Sequence, residues 1–221
     1  MRKFSAALAL LLVCAGPAVA AKPPKPPKPN PNLTIKASAT AVTFGRTVTL
    51  SGTTKSISAG TTVELQQNPY PYAGFKPTGK TAAVDPSGNY SIAGIQPQVH
   101  TQYKVVAKTS PPTESSAVFV KVRLRVSFSV GDTTPKKGSM DRFSGTVASA
   151  HDGKPVLIQK RTATGYRTVA RTTLLDNGTA TSKYSKKLRI RSNGTYRVVA
   201  QSLDPAIDNG TSRTRTLRVH S

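Results

Sequence analysis

The sequence predicts an all-β protein built as two tandem β-sandwiches, and three observations carry that prediction. Two stretches, TQYKVVAK at 101–108 and GTYRVVAQ at 194–201, place Tyr103 and Tyr196 93 residues apart. Further blocks keep the same offset: LSGT at 50–53 with FSGT at 143–146, VELQ at 63–66 with VLIQ at 156–159, and Gly45 with Gly138. Both copies alternate apolar and polar residues with a period of two, which sets the apolar side chains on one face of an extended strand. Beyond residues 1–20 no stretch with helical periodicity carries credible caps.

The chain opens MRKFSAALALLLVCAGPAVAAK. Arg2 and Lys3 precede an apolar run from Phe4 to Cys14, and Ala18, Val19 and Ala20 follow. This is the layout of a secretory signal peptide over 1–20, cleaved after Ala20 or Ala21. The run falls short of the roughly 20 apolar residues a membrane span needs, so the mature chain is expected to have no transmembrane segment. Cys14 is the only cysteine. Lipidation there is the alternative reading, disfavoured by the bulk of Val13 in front of it. With the leader gone, the mature chain has no disulfide, no cysteine metal ligand and no cysteine nucleophile, so packing and backbone pairing must hold it together.

AKPPKPPKPNPN, residues 21–32, follows as a linker. Proline denies the backbone both helix and sheet bonding, and the segment is expected to run as polyproline II at ~3.1 Å per residue. It serves as a semi-rigid spacer, as a cationic tail, or simply as a soluble leader to the folded part. The two units then span 33–122 and 123–221.

Within the first unit the alternation appears in Val48-x-Leu50, Val63-x-Leu65, Tyr90-x-Ile92 and Tyr103-x-Val105-x-Ala107. The second shows it from Leu124 to Val130 and in Val156-x-Ile158, Leu188-x-Ile190 and Tyr196-x-Val198-x-Ala200. Turn chemistry separates these runs: DPSGN at 85–89, DNG at 176–178, SNG at 192–194 and DNG at 208–210. Asn-Gly pairs are read as tight turns, although three NGT triplets, NLT and NYS also match N-glycosylation acceptors. A last strand is expected in SAVFVKV at 116–122 and in RTLRVH at 215–220.

In immunoglobulin-like sandwiches a tyrosine near the start of strand F closes the E–F corner, its hydroxyl bonded to backbone just upstream. HTQYKVVA and NGTYRVVA fit that corner, which makes Tyr103 and Tyr196 the expected structural tyrosines. With the opening strand, TVTLSGT, GNYSI and the Tyr-led strand, the sequence from Leu33 to His220 resembles the tandem Ig-like domains of secreted bacterial proteins, especially actinobacterial ones. The resemblance implies two immunoglobulin-like β-sandwiches. It departs from antibody-type domains: Val105 and Val198 stand where a strand F cysteine would be, and the chain has no tryptophan.

Charge divides the two units. The full chain holds 32 Lys+Arg against 9 Asp+Glu, a net of +23. Residues 33–122 carry 8 basic and 3 acidic residues (+5), and residues 123–221 carry 19 and 6 (+13). Such a chain is drawn to polyanions by an attraction that salt screens. The implied partners are anionic cell-envelope polymers or extracellular glycans and proteins, with non-specific nucleic-acid binding in vitro. The protein is expected to be secreted or envelope-associated and monomeric.

Four groups of residues bear on function. The strand SKYSKKLRIRS at 182–192 is expected to present Lys183, Lys186, Lys187, Arg189 and Arg191 as a polyanion-binding stripe, with Tyr184, Leu188 and Ile190 inward. Arg161, Arg167 and Arg171 are expected to join them on a neighbouring strand. A solvated outer face that discourages edge pairing is the plain alternative. QNPYPYAGFKP at 67–77 is longer than its counterpart and sets Tyr70, Tyr72 and Phe75 among prolines; these rings form either a ligand platform or a cap packed within the protein. Asp204, Asp208 and Asn209 have oxygens for a hard cation, but turns before the last strand account for them.

His100, His151 and His220 are scattered, and neither metal-ligand spacing nor a G-x-S-x-G elbow occurs. No catalytic residue, metal or cofactor is therefore expected. The sequence points to a non-catalytic binding or adhesion protein. A purely structural spacer, and less readily an enzyme or enzyme inhibitor, are the alternatives.

Overall fold

The computed structural model describes residues 32–178 and 180–221. The leader at 1–20, Cys14 within it, and residues 21–31 of the Pro/Lys linker lie outside the described residues.

The first unit forms β1 (Lys36–Ala37), β2 (Ala41–Thr43), β3 (Val48–Thr53), β4 (Thr62–Pro69), β5 (Lys76–Ala83), β6 (Asn89–Ile95), β7 (Thr101–Ala107), β8 (Thr113–Glu114) and β9 (Val118–Arg123). One sheet runs β1-β3-β6; the other runs β2-β9-β7-β4-β5, with β8 on the flank of β7. The opening strand is thus divided between the sheets. Its first half pairs antiparallel with β3, and its second half pairs in parallel with β9, locking both sheets to one segment of chain.

The second unit repeats the plan with β10 (Arg125–Val126), β11 (Ser129–Val130), β12 (Met140–Ala148), β13 (Pro155–Thr162), β14 (Gly165–Thr173), β15 (Leu175–Asp176), β16 (Thr181–Arg189), β17 (Gly194–Ala200), β18 (Gly210–Thr211) and β19 (Arg215–Leu217). Here β10 and β11 share one edge of β12, β16 pairs with its other edge, and β15 pairs with β16. The facing sheet runs β14-β13-β17, with β18 and β19 on the far side of β17. No helix occurs among the described residues, and none there is long and apolar enough to cross a membrane. The fold is all-β: two tandem β-sandwiches.

Alternation explains the cores. Leu50, Val63, Leu65, Val105 and Ala107 are fully buried in the first, and their counterparts 93 residues on, Phe143, Val156, Ile158, Val198 and Ala200, are fully buried in the second. Each such aliphatic or aromatic side chain contributes roughly 1.5–3 kcal/mol by leaving water. The positions of the missing strand F cysteines are simply packed: Val105 and Val198 close their cores without a disulfide. The two cores are separate clusters, and the change falls within β9, where Val120 belongs to the first and Val122 to the second.

The tyrosine latch is a correction. Tyr103 and Tyr196 are buried at the start of β7 and β17, but the phenol-to-backbone bonds belong to Tyr90 and Tyr184, on β6 and β16. Tyr90 donates to the carbonyl of Thr34, and Tyr184 to that of Ser127 at 2.7 Å. The reason lies on the neighbouring strand. Gly52 and Gly145 stand between each phenol and the opening strand, and a Cβ there would collide with both the phenol oxygen and the carbonyl it meets. Only glycine leaves that passage open. Tyr103 instead lies in the core beside Thr101, and burial pushes its phenol up to about 12.

Candidate anion-binding surface

The expected stripe separates once β16 is paired with β12. Their register sets Lys183 opposite Thr146, Lys187 opposite Arg142 and Arg189 opposite Met140. These residues share the solvent face of the sheet, because Tyr184, opposite Gly145, faces the core. Lys186 is paired with the core residue Phe143 yet remains exposed, its aliphatic stem letting the ammonium leave the core side. Arg191 lies beyond the strand end and is exposed.

Arg161, Arg167 and Arg171 do not join the stripe. They sit on β13 and β14, which belong to the facing sheet. The stripe instead gains Arg142, whose Nε donates to Ser185 Oγ at 2.9 Å, and Arg125 on β10. On the opposite face of the sandwich Arg197 lays its guanidinium 3.8 Å from the centroid of Tyr166 and donates to Gln159 Oε1 at 2.9 Å. Arg161, paired with Tyr166, shares that face. The second sandwich is therefore cationic on both outer faces. Arg142 and Arg197 escaped the sequence reading because each is a lone cation on its strand, brought into a cluster only by pairing.

Between the faces, at one end of the sandwich, a cleft of about 270 Å³ is lined by Lys160, Arg189, Arg191, Ser192 and Tyr196, with Leu188 and Ile190 among its apolar walls. Lys160 Nζ donates to Ser192 Oγ at 2.8 Å and lies 5.5 Å from the Tyr196 ring centroid.

The aromatic loop follows β4. Tyr70 and Tyr72 meet edge to face at 5.5 Å, Tyr72 meets Phe119 at 6.1 Å, and Phe119 meets His100 at 5.9 Å. Phe75 is set apart, with Lys104 Nζ 4.9 Å from its ring centre. Tyr72 holds a left-handed backbone (φ 66), its N–H donating to the Pro69 carbonyl at 2.8 Å. Three of these rings therefore make a ladder that ends on His100, and all are half-buried rather than splayed into solvent.

His100 marks where the two sandwiches meet. Its main-chain N–H donates to the Ala206 carbonyl at 2.8 Å, its Nδ1 accepts from the Val122 N–H at 2.9 Å, and its Nε2 lies 3.4 Å from Asp208 Oδ1. Desolvation holds the imidazole below the ordinary histidine range, outweighing the opposing pull of Asp208 and aided by Lys121. The contact to Asp208 is thus between a carboxylate and a neutral ring at physiological pH. The other candidate cation oxygens have partners of their own: Asp204 Oδ1 accepts from Ala206 N–H at 2.8 Å and Asn209 Oδ1 from Ser202 N–H at 2.9 Å. Among the described residues no three His, Cys, Asp or Glu side chains converge on a metal position.

Serine, histidine and aspartate do gather in one place. The buried Ser182 hydroxyl donates to Asp152 Oδ1 at 2.5 Å and accepts from the main-chain N–H of His151 at 2.7 Å. The serine proton is directed at the carboxylate, and no imidazole nitrogen meets it, so this wiring clasps a turn.

No family model matches the chain, and no curated protein does. A solved tetra-tandem repeat from the extending region of a large adhesion protein is similar, at 19% identity and a TM-score of 0.37. The match covers 84% of this chain and 49% of that one, so the chain spans about half the length of that structure.

Proposed function

We propose that this chain is an exported, non-catalytic binding protein whose tandem sandwiches act in adhesion at or outside the cell envelope, the second sandwich engaging anionic polymers. One observation carries the reading. Among the described residues the ion pairs are His100–Asp208 and Lys104–Glu114, so none of the 19 Lys and Arg residues of 123–221 is paired with a carboxylate. Self-neutralised basic surfaces offer little to an outside anion; this one keeps its field. The lysine-bearing linker adds cations at the other end of the exported chain.

Retention of the full chain on a sulfated or phosphate-bearing matrix tests the reading. Retention should fall steeply with salt, and Lys183→Gln, Lys187→Gln and Arg142→Gln together should flatten the slope of log affinity against log salt by about one per lost contact. Salt-independent retention, or none at low salt, would remove the polyanion assignment.

A second reading, a spacer that carries something else, is favoured by the junction. β9 runs from one core into the other, and His100 reaches Ala206 and Asp208 of the second unit, features suited to holding two modules at a fixed separation. A chain that binds no polymer yet keeps its junction under load would belong to that class.

A further inference from the structure

We propose that the cleft lined by Lys160, Arg189 and Arg191 is a built seat for a single phosphate or sulfate ester group of an anionic polymer. The proposal rests on the polyanion reading and gives it a specific contact.

Three features distinguish this place from a merely basic surface. First, Lys160 lies directly over Gly194: a Cβ there would meet Lys160 Cε at 2.2 Å, so any larger residue would move the ammonium from its present place. Second, like charges are concentrated there against their own repulsion. Lys160 is directly cross-strand from Arg167, an arrangement that destabilises a sheet unless something neutralises it. Arg189 and Arg191 line the same cleft, and no carboxylate does. Third, the duplication supplies an internal control. The positions 93 residues earlier hold Gln67 for Lys160 and Thr101 for Gly194, so the first sandwich has neither the ammonium nor the opening.

The chemistry follows from the donors. Lys160 gives one N–H to Ser192 Oγ and lies 3.4 Å from the Ser192 carbonyl, which leaves an N–H for a ligand. Arg189 spends a single N–H, from Nη1 to the Gly138 carbonyl at 2.9 Å. Its remaining donors and those of Arg191 suit a tetrahedral oxyanion with several oxygens, in an open cleft whose apolar walls are Leu188 and Ile190. A planar carboxylate uses fewer of these donors.

Titration of the full chain with tripolyphosphate, dextran sulfate and polyglutamate at one ionic strength tests this. The first two distinguish phosphate from sulfate as the source, and binding of either above polyglutamate supports the seat. Lys160→Gln should weaken the preferred oxyanion about tenfold, the effect of one charge-assisted hydrogen bond. Gly194→Ala should do likewise by displacing Lys160, whereas Lys183→Gln with Lys187→Gln should change the short ligand's affinity less than the long polymer's. Methylation mapping guards against a misfolded variant: tripolyphosphate should protect Lys160 in the parent chain more than Lys183 or Lys187. Equal protection of all three, or unaltered affinity in both cleft variants, overturns the seat. If the Lys183 and Lys187 changes still reduce polymer retention, the broader reading survives it; if nothing binds, both fall.

Discussion

The Tyr184 hydroxyl donates to the main-chain carbonyl of Ser127 at 2.7 Å, 57 residues earlier, and Tyr90 makes the equivalent bond to Thr34. Both phenols are pushed well above the ordinary tyrosine value by burial, so they stay protonated and donating through the physiological range. Around each, the opening strand is bound a second time: Thr53 N–H donates to Thr34 Oγ1 at 2.9 Å, and Thr146 N–H to Ser127 Oγ at 2.7 Å. Tyr90→Phe and Tyr184→Phe should each cost about 1–2 kcal/mol, because each strands a carbonyl that the phenol satisfied. Since the two latches sit in separate cores, the double variant should show each loss undiminished, Tyr90→Phe in the unfolding of the first sandwich and Tyr184→Phe in that of the second. Gly52→Ala and Gly145→Ala should cost more, the new methyl forcing strand and phenol apart.

The junction should be acid-sensitive. The Val122 N–H points at His100 Nδ1, so protonation would set one N–H against another. With its folded value depressed, His100 leaves the fold fully stable above the ordinary value of about 6.5, and stability falls as pH drops below it, because the unfolded chain takes the proton first. Asp208 and Asp204 oppose that loss and Lys121 adds to it. Thermal melts between about pH 7.5 and 5 should show a decline that His100→Gln lacks, while the variant starts lower at neutral pH. A parallel decline in both proteins would assign the effect to carboxylates elsewhere.

What could be read from sequence divides along a physical line. Val48, Leu50, Val105 and Val198 were readable because a strand buried on one face must alternate, and the chain says so locally. β5 and β14 were not. As edge strands they are bonded along one side and bury no residue fully: β5 is exposed apart from half-buried Thr78 and Ala82, and β14 alternates only between half-buried and exposed, so no apolar period marks KPTGKTAA or GYRTVARTT. The stripe was half readable: parity puts Lys183 and Lys187 together, but which sheet receives Arg167 and Arg171 is decided by long-range pairing. The latch tyrosines hid behind register. NYS at 89–91 and KYS at 183–185 repeat at 94 residues rather than 93, so they fell out of the alignment that exposed Tyr103 and Tyr196.

The aromatic ladder should behave as structure first. Tyr72 stands on Phe119, and Phe119 on His100, so truncating either ring removes support from the residue that bonds across the junction. Tyr72→Ala is expected to lower stability by about 1–3 kcal/mol, the rings being half-buried and each aromatic contact adding ~0.5–1.5 kcal/mol to its area term. Phe75→Ala, off the ladder, should cost less. Small-angle scattering of Phe119→Ala should show a broader distribution of interdomain distances than the parent. An unchanged distribution together with lost glycan binding would restore these rings as a ligand platform.

Separate cores with unequal charge predict unequal responses to salt. Leu65 belongs to the first cluster and Phe143 to the second. Leu65→Ala, at about 2–5 kcal/mol, should shift the unfolding of the first sandwich, and Phe143→Ala, at about 3–5 kcal/mol, that of the second. With the two transitions so assigned, adding salt at low ionic strength should raise the second more than the first. Net charges of +13 and +5 make self-repulsion the larger burden there, and screening relieves it. A tripolyphosphate titration at constant ionic strength should then raise the second transition alone, because a ligand that binds only the folded state stabilises the unit that holds it. Equal shifts of both transitions would mean that the anion acts on charge in general, with no preference for the cleft beside Lys160.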